Sequence, residues 1–156
     1  MSELRLRPMT AAELEEYLRN AIGSYADDHV AAGDWTPEEA QERSAAEFAQ
    51  LLPAGLETEG MLLYIAETGD GEVVGWVWLC LKHPRGPFAW VYDIEVVAAQ
   101  RGEGYGRALL AAAEAELRQR GIPEVALNVF GHNVVAQGLY ASSGYELMSQ
   151  QYRKAL

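Results

Sequence analysis

Gln100-Arg101-Gly102-Glu103-Gly104-Tyr105-Gly106 stands between a run that reads as a strand, Ala89 to Val97, and one that reads as a helix, Arg107 to Arg120. Alternate glycines at such a junction let the backbone pass close to a ligand, because no Cβ stands in the way. They also leave N–H groups unpaired at the start of a helix, where the dipole favours an anion. The stretch therefore reads as a pyrophosphate-binding turn. It is not a Walker loop, since no Gly-Lys-Ser/Thr follows the glycines. It is not the dinucleotide fingerprint, since Arg107 stands where the third glycine of that pattern belongs. The pattern it meets is R-x-x-G-x-G, through Arg101, Gly104 and Gly106. For so short a motif, a turn that merely lets helix and strand pack is the plain alternative.

Downstream, the helix places Leu109, Leu110, Ala113 and Leu117 on one face, and Gly121-Ile122-Pro123 stops it. Val125 to Phe130 reads as a strand. Asn133 caps a last helix to about Ser142, with Gly144 just past its end, and Tyr145 to Lys154 reads as a final strand. Upstream, Met61 to Glu67 and Val73 to Lys82 are strands joined by the turn Thr68-Gly69-Asp70-Gly71. Thr36-Pro37-Glu38-Glu39 starts a helix that Pro53-Ala54-Gly55 ends. Thr10 with Glu13 caps an earlier helix, predicted to about Ala21, followed by a loose segment from Tyr25 to Gly33. Leu4 and Leu6 mark a short first strand that stops at Pro8. Early strands joined by short turns pair antiparallel, whereas the strand–helix–strand unit from Ala89 to Phe130 is a crossover between parallel strands. The expected fold is one α/β domain over residues 1–156. Its central sheet is mixed, mostly antiparallel, of six to seven strands flanked by about four helices.

The chain has 156 residues, 49% apolar and 22% charged, which is ordinary for one globular domain. A net charge of −11 repels polyanions and argues against a nucleic-acid partner. It would attract a cationic substrate, although acidity is also a common solubility feature. The lone cysteine, Cys80, excludes an intrachain disulfide and fits a reducing compartment. Met1 to Pro8 has no apolar core like that of a signal peptide, and no run is long enough for a membrane span, so a cytoplasmic protein is expected. His29, His83 and His132 are scattered without ligand spacing, so no metal is expected.

Leu127-Asn128-Val129-Phe130-Gly131-His132-Asn133, with Ala136, Leu139-Tyr140 and Gly144-Tyr145 at their set spacing, resembles the second signature of the GNAT acetyltransferase superfamily. The R-x-x-G-x-G turn resembles that family's acyl-CoA signature. The likeness is close over about residues 88–146; elsewhere only the element order agrees. It implies a splayed pair of parallel strands whose cleft holds acyl-CoA, with acetyl-CoA as donor. Main-chain groups of Val96 and Val97 would pair with the pantetheine arm. The N–H groups of Arg101, Gly102, Glu103, Gly104, Tyr105 and Gly106, with Arg107 at the helix start, would hold the pyrophosphate. Asn133 would bond the arm or a neighbouring phosphate, and Tyr140 would act beside the thioester as general acid to the departing thiolate.

Chemistry is compatible with that last role. A free thiol titrates near ~8.5 and a tyrosine near ~10, so a phenol held close to the sulfur can donate as negative charge grows there. An aromatic at the edge of the core is the alternative for Tyr140. The resemblance leaves the base open. Asp93 and Glu95 alternate on the strand entering the cleft, and an unbroken strand points both to one face; a β-bulge, common in the family, would alter that parity. Glu95 is nearest the acyl position by alignment, Asp93 second, and each taken alone reads more readily as a solvated or salt-bridged carboxylate. Where some relatives carry a glutamate, this chain has Asn128, which cannot take a proton; that favours a carboxylate working through water. For the acceptor, Tyr25, Trp35, Tyr92 and Asn128 are candidates, as are Asp28, His29, Asp34, Trp76, Trp78 and Trp90, although large aromatics in strands are more often core. His132 reads as surface.

The leading expectation is an acyl-CoA-dependent N-acyltransferase that moves acetyl to a primary amine by direct attack in a ternary complex. A non-catalytic acyl-CoA sensor on the same fold would keep the turn without needing Tyr140. A nucleotide-binding regulatory domain is a third reading, and the missing Walker lysine argues against it. The final strand is placed to reach a second copy in a homodimer, but nothing in the sequence decides the oligomeric state.

Overall fold

The computed structural model describes residues 3–156. Its elements in chain order are β1 (Arg5–Pro8), α1 (Ala11–Ala31), α2 (Pro37–Leu51), β2 (Met61–Glu67), β3 (Val73–Cys80), β4 (Ala89–Val96), α3 (Tyr105–Gln119), β5 (Val125–Leu127) and α4 (Val134–Ser142). The five strands form one sheet in the order β1-β2-β3-β4-β5. The first four pair antiparallel and β4 pairs parallel with β5, as the crossover requires. Among the described residues, no helix is long and apolar enough to cross a membrane.

Each face of the sheet buries its own helices. α3 lays Leu109, Ala113 and Leu117 on Val74, Val77, Leu79 and Val91. α1 and α2 cover the other face, where Leu14, Tyr17 and Phe48 meet Leu63, Ile65 and Trp78. The capping box predicted for α1 is present, with Thr10 Oγ1 accepting from the Glu13 amide at 3.2 Å and Glu13 Oε1 accepting from the Thr10 amide at 2.9 Å. Ser44, fully buried on α2, ties the two helices by donating to the Ile22 carbonyl at 2.7 Å.

Two expectations are corrected. α1 does not end near Ala21 but runs ten residues further, to Ala31. Gly23 disfavours helix by about 1 kcal/mol, yet Tyr25 and Ala26 continue the apolar stripe and pack with Trp35 and Ala40. The sheet also has five strands, not six to seven. β5 stops at Leu127, and residues 145–156 make no ladder. Leu147, Met148, Tyr152 and Leu156 there are exposed, and strand propensity without a face to bury does not hold a strand. The segment is tied at Arg153, whose guanidinium donates to the Gly33 carbonyl at 2.6 Å and to Asp34 at 3.0 Å.

β3 and β4 approach closely because Gly75 faces Val96. A Cβ on Gly75 would overlap the Glu95 carbonyl and press Leu109 Cδ2 at 3.2 Å. Gly75→Ala should therefore part these strands and lower stability by about 1–3 kcal/mol. A urea unfolding midpoint equal to that of the unsubstituted chain would contradict this packing.

Candidate active site

The site begins where two parallel strands stop pairing. β4 and β5 are bonded only from Ala89–Val125 to Val91–Leu127. Beyond that point residues 92–96 of β4 have no β5 partner. Carbonyls and amides alternate sides along a strand. The Val97 amide donates to the Val74 carbonyl on β3 at 2.9 Å, and its carbonyl accepts from Gln100 at 2.9 Å. Val96 therefore turns its main-chain groups into the splay. Val97 is satisfied by β3 and the following turn, which leaves neither of its groups free to extend a strand.

A bulge re-aims the side chains entering this splay. Trp78 pairs with Asp93 and Leu79 with Val91, so Tyr92 is the extra residue. Val91 faces α3, while Tyr92 faces α1 and α2 beside Trp78, with ring centroids 4.7 Å apart. After the slip Asp93 and Glu95 share that second face, opposite Trp78 and Trp76. Without it they would lie on the α3 side with Val91.

The two carboxylates differ in surroundings. Asp93 Oδ2 accepts from the Tyr17 hydroxyl at 2.8 Å and from Trp76 Nε1 at 3.2 Å. Burial raises its pKa, and these donors oppose the rise. Glu95 keeps 42% of its side chain exposed. Burial raises its pKa too, seconded by the charge of Asp93, while Arg101 pulls it back. Asp28, from α1, is near enough to disfavour both charges. Asp28 itself lies 3.1 Å from His132 Nε2, so a hydrogen-bond contact spans from α1 to the loop after β5.

The glycine turn has the form its sequence required. Gly102 and Gly104 sit at φ +83° and +84°, a left-handed region that side chains with a Cβ avoid. Gly104 immediately precedes α3, and no side chain caps that helix start. Intrahelical bonding begins with the Ala108 amide on the Gly104 carbonyl, so the first-turn N–H groups point out of the helix end unused. Arg101 turns back toward β4. Arg107 reaches the end of α4 instead, donating to Ser142 Oγ at 2.8 Å and Ser143 Oγ at 3.2 Å. Only its main-chain N–H belongs to the turn.

α4 closes the far side. Asn133 Oδ1 caps it by accepting from the Ala136 amide at 3.2 Å. Its last turn leans on α3, where a Cβ on Gly106 would sit 3.4 Å from Leu139. Tyr140, the next residue, is half-buried. Burial, and then the Asp93 carboxylate, raise its pKa above the ordinary tyrosine value.

The acceptor candidates divide. Tyr92 and Asn128 border the splay, Asn128 exposed just past β5. Trp35 does not line it: the ring is 7% exposed, stacked on His29 at 3.8 Å, with the Arg43 guanidinium 5.0 Å from its centroid. Tyr25 is held edge-on by His29, Trp35, Phe48 and Phe130, so most of it serves packing. One participant escaped sequence reading: Tyr17 looks like any amphipathic core residue of α1. His132 is exposed, as read, and its ring reaches Asp28.

Comparison with known proteins agrees with this geometry. The sequence profile of the acetyltransferase (GNAT) family matches residues 13–145. The uncharacterized N-acetyltransferase YycN of Bacillus subtilis is 37% identical over 145 residues, 92% of each chain. A crystal structure of YycN from B. subtilis superposes with a TM-score of 0.93 at 36% identity, covering 98% of both chains. A mycothiol acetyltransferase of Kytococcus sedentarius is 32% identical over 92% of this chain but only 45% of its own length. The fold is shared, with a TM-score of 0.63 and 20% identity over 99% of this chain and 100% of the other, by AAC(6')-Iy, solved with the bisubstrate analog CoA-S-monomethyl-acetylneamine.

Proposed function

Because the chain belongs to the GNAT acetyltransferase family, we propose that it transfers an acetyl group from acetyl-CoA to a primary amine by direct attack in a ternary complex. The observation that carries this reading is the open side of β4. The main-chain groups of Val96 face that open side, next to an uncapped, glycine-opened helix start, and the Val96 carbonyl there accepts from Arg101 Nε at 3.1 Å. These residues fit the donor. Val96 would pair with the pantetheine arm, and the N–H groups from Arg101 to Gly106, with that of Arg107, would hold the pyrophosphate. Asn133, already a helix cap, would have its amide group left for the arm. Acetyl-CoA supplies an activated thioester carbonyl; the rest is the work of this chain.

Tyr140 holds a proton ready for the leaving sulfur. Glu95 is the better base, because it is accessible, its pKa is raised, and it carries none of the donors that engage Asp93. Asp93, held by Tyr17 and Trp76, is the neighbouring carboxylate that helps raise the pKa of Glu95. Asn128 takes no proton and is placed to orient the acceptor. Asp28, Asp93 and Glu95 give the acceptor side a negative potential, which draws an ammonium.

Amine-dependent release of thiol from acetyl-CoA tests the function, and its absence over a broad set of primary amines in a protein that binds CoA would favour the sensor reading. The base is tested by pH. A bound ammonium titrates near ~10.4 and needs a base to attack at neutrality. With Glu95 ionised the rate persists down to the raised pKa of that carboxylate, above the ordinary glutamate range near ~4.3. In Glu95→Gln the acidic limb should move up toward the pKa of the amine, so the loss is largest at low pH. An unchanged profile would remove Glu95 from the role.

A further inference from the structure

Arg101 is the first residue of the glycine motif, yet its side chain does not lie along the turn. Its Nε donates to the Val96 carbonyl at 3.1 Å, and its Nη2 donates to Glu95 Oε1 at 2.8 Å. The Val96 carbonyl is the group that faces the splay, since Val97 is bonded to β3. One guanidinium thus covers the strand edge on which the pantetheine arm would lie and, with its second donor, pins the carboxylate proposed as base.

We propose that Arg101 is a latch, closing the pantetheine edge and holding Glu95 until a diphosphate draws the guanidinium away. The proposal rests on the acyl-CoA reading of the cleft. Charge decides the direction. Arg101 keeps 58% and Glu95 42% of their side chains exposed, and ion pairs so exposed are weak. A diphosphate in the turn that Arg101 itself begins carries more charge than one carboxylate and matches the guanidinium fork. Opening the latch then does two things together. It frees the Val96 carbonyl for the arm, and it removes from Glu95 the one cation that lowers its pKa, leaving Asp93 and Asp28 to raise it. The base is released when the donor is seated. Arg101 is in this sense a positioning residue acting through Glu95 and Val96.

The test uses a donor fragment that lacks phosphate. Acetyl-pantetheine has the arm but nothing to pull Arg101 aside, so it must break the latch unaided. By NMR titration, Arg101→Ala should bind acetyl-pantetheine roughly three- to tenfold more tightly than the unsubstituted chain. Glu95→Ala, which removes one anchor and leaves the other, should move affinity the same way by a smaller step. CoA itself should gain nothing in Arg101→Ala, because its diphosphate already opens the latch. Equal acetyl-pantetheine affinity in Arg101→Ala and the unsubstituted chain, including no measurable binding to either, would overturn the latch. A chain that fails to bind CoA would instead overturn the acyl-CoA reading, so the two failures are distinct.

Discussion

Tyr140→Phe should lower turnover about 10²- to 10⁴-fold while acetyl-CoA affinity changes little. The substitution removes one oxygen and leaves the ring, so the packing of α4 on α3 beside Leu139 is retained. No hydrogen bond to another protein group is lost, since among the described residues the Tyr140 hydroxyl has no such partner. What disappears is the proton held near the leaving sulfur. A thiolate with a pKa near ~8.5 is a moderate leaving group, which places the effect within general-acid magnitudes rather than beyond them. The shift in the phenol's pKa makes it a weaker acid, so the role rests on its place at the end of α4 and not on acid strength. A phenol titrating near ~10 or higher is protonated through the neutral range in any case, so the acid form is present where the amine is to be acetylated. Steady-state kinetics with calorimetry on the same sample separate the two effects. A Tyr140→Phe rate within about threefold of the unsubstituted chain would assign the proton to solvent or to another group.

Gly104→Val should weaken acetyl-CoA binding by about 30-fold or more, equivalent to ~2 kcal/mol. Two effects act in the same direction. Gly104 sits at φ +84°, where a β-branched residue is strained by about 1–3 kcal/mol. The turn can relax that strain only by moving the N–H groups ahead of α3, which are the proposed anion contacts. A valine side chain would also stand where the backbone must approach phosphate. Gly104 is exposed and makes little of the core, so the loss of stability should not exceed that strain and the chain should stay folded at room temperature, where affinity is compared. Equal affinity in Gly104→Val would return the turn to a packing role.

Much of this was legible because it is written in local chemistry. The R-x-x-G-x-G turn needs glycine where φ is positive, and the structure uses Gly102 and Gly104 in that way. The parallel β4–β5 pair follows from the crossover through α3, and the Asn133 cap from its own side chain. What sequence could not supply depends on distant partners. Glycine and polar residues in α1 argued for an early end, and only burial of Tyr25 and Ala26 against α2 extends the helix. Tyr145 to Lys154 read as a strand, but among the described residues most of it is exposed, with no face to bury. The bulge at Tyr92 sets which face Asp93 and Glu95 take, and no residue type announces it. Tyr17, which fixes Asp93 from 76 residues away, reads in sequence as core alone. Trp35 shows the reverse case, an aromatic that suggested a pocket and proved to be packed on both faces.

Calorimetric titration of the purified protein with acetyl-CoA tests the central claim most directly. Saturable binding at micromolar concentrations, one equivalent per chain, is the predicted result, and it would leave the acceptor as the remaining problem. A folded protein that takes up no acetyl-CoA would contradict the account, since the splayed edge at Val96, the glycine turn and the phenol of Tyr140 would then have no common ligand.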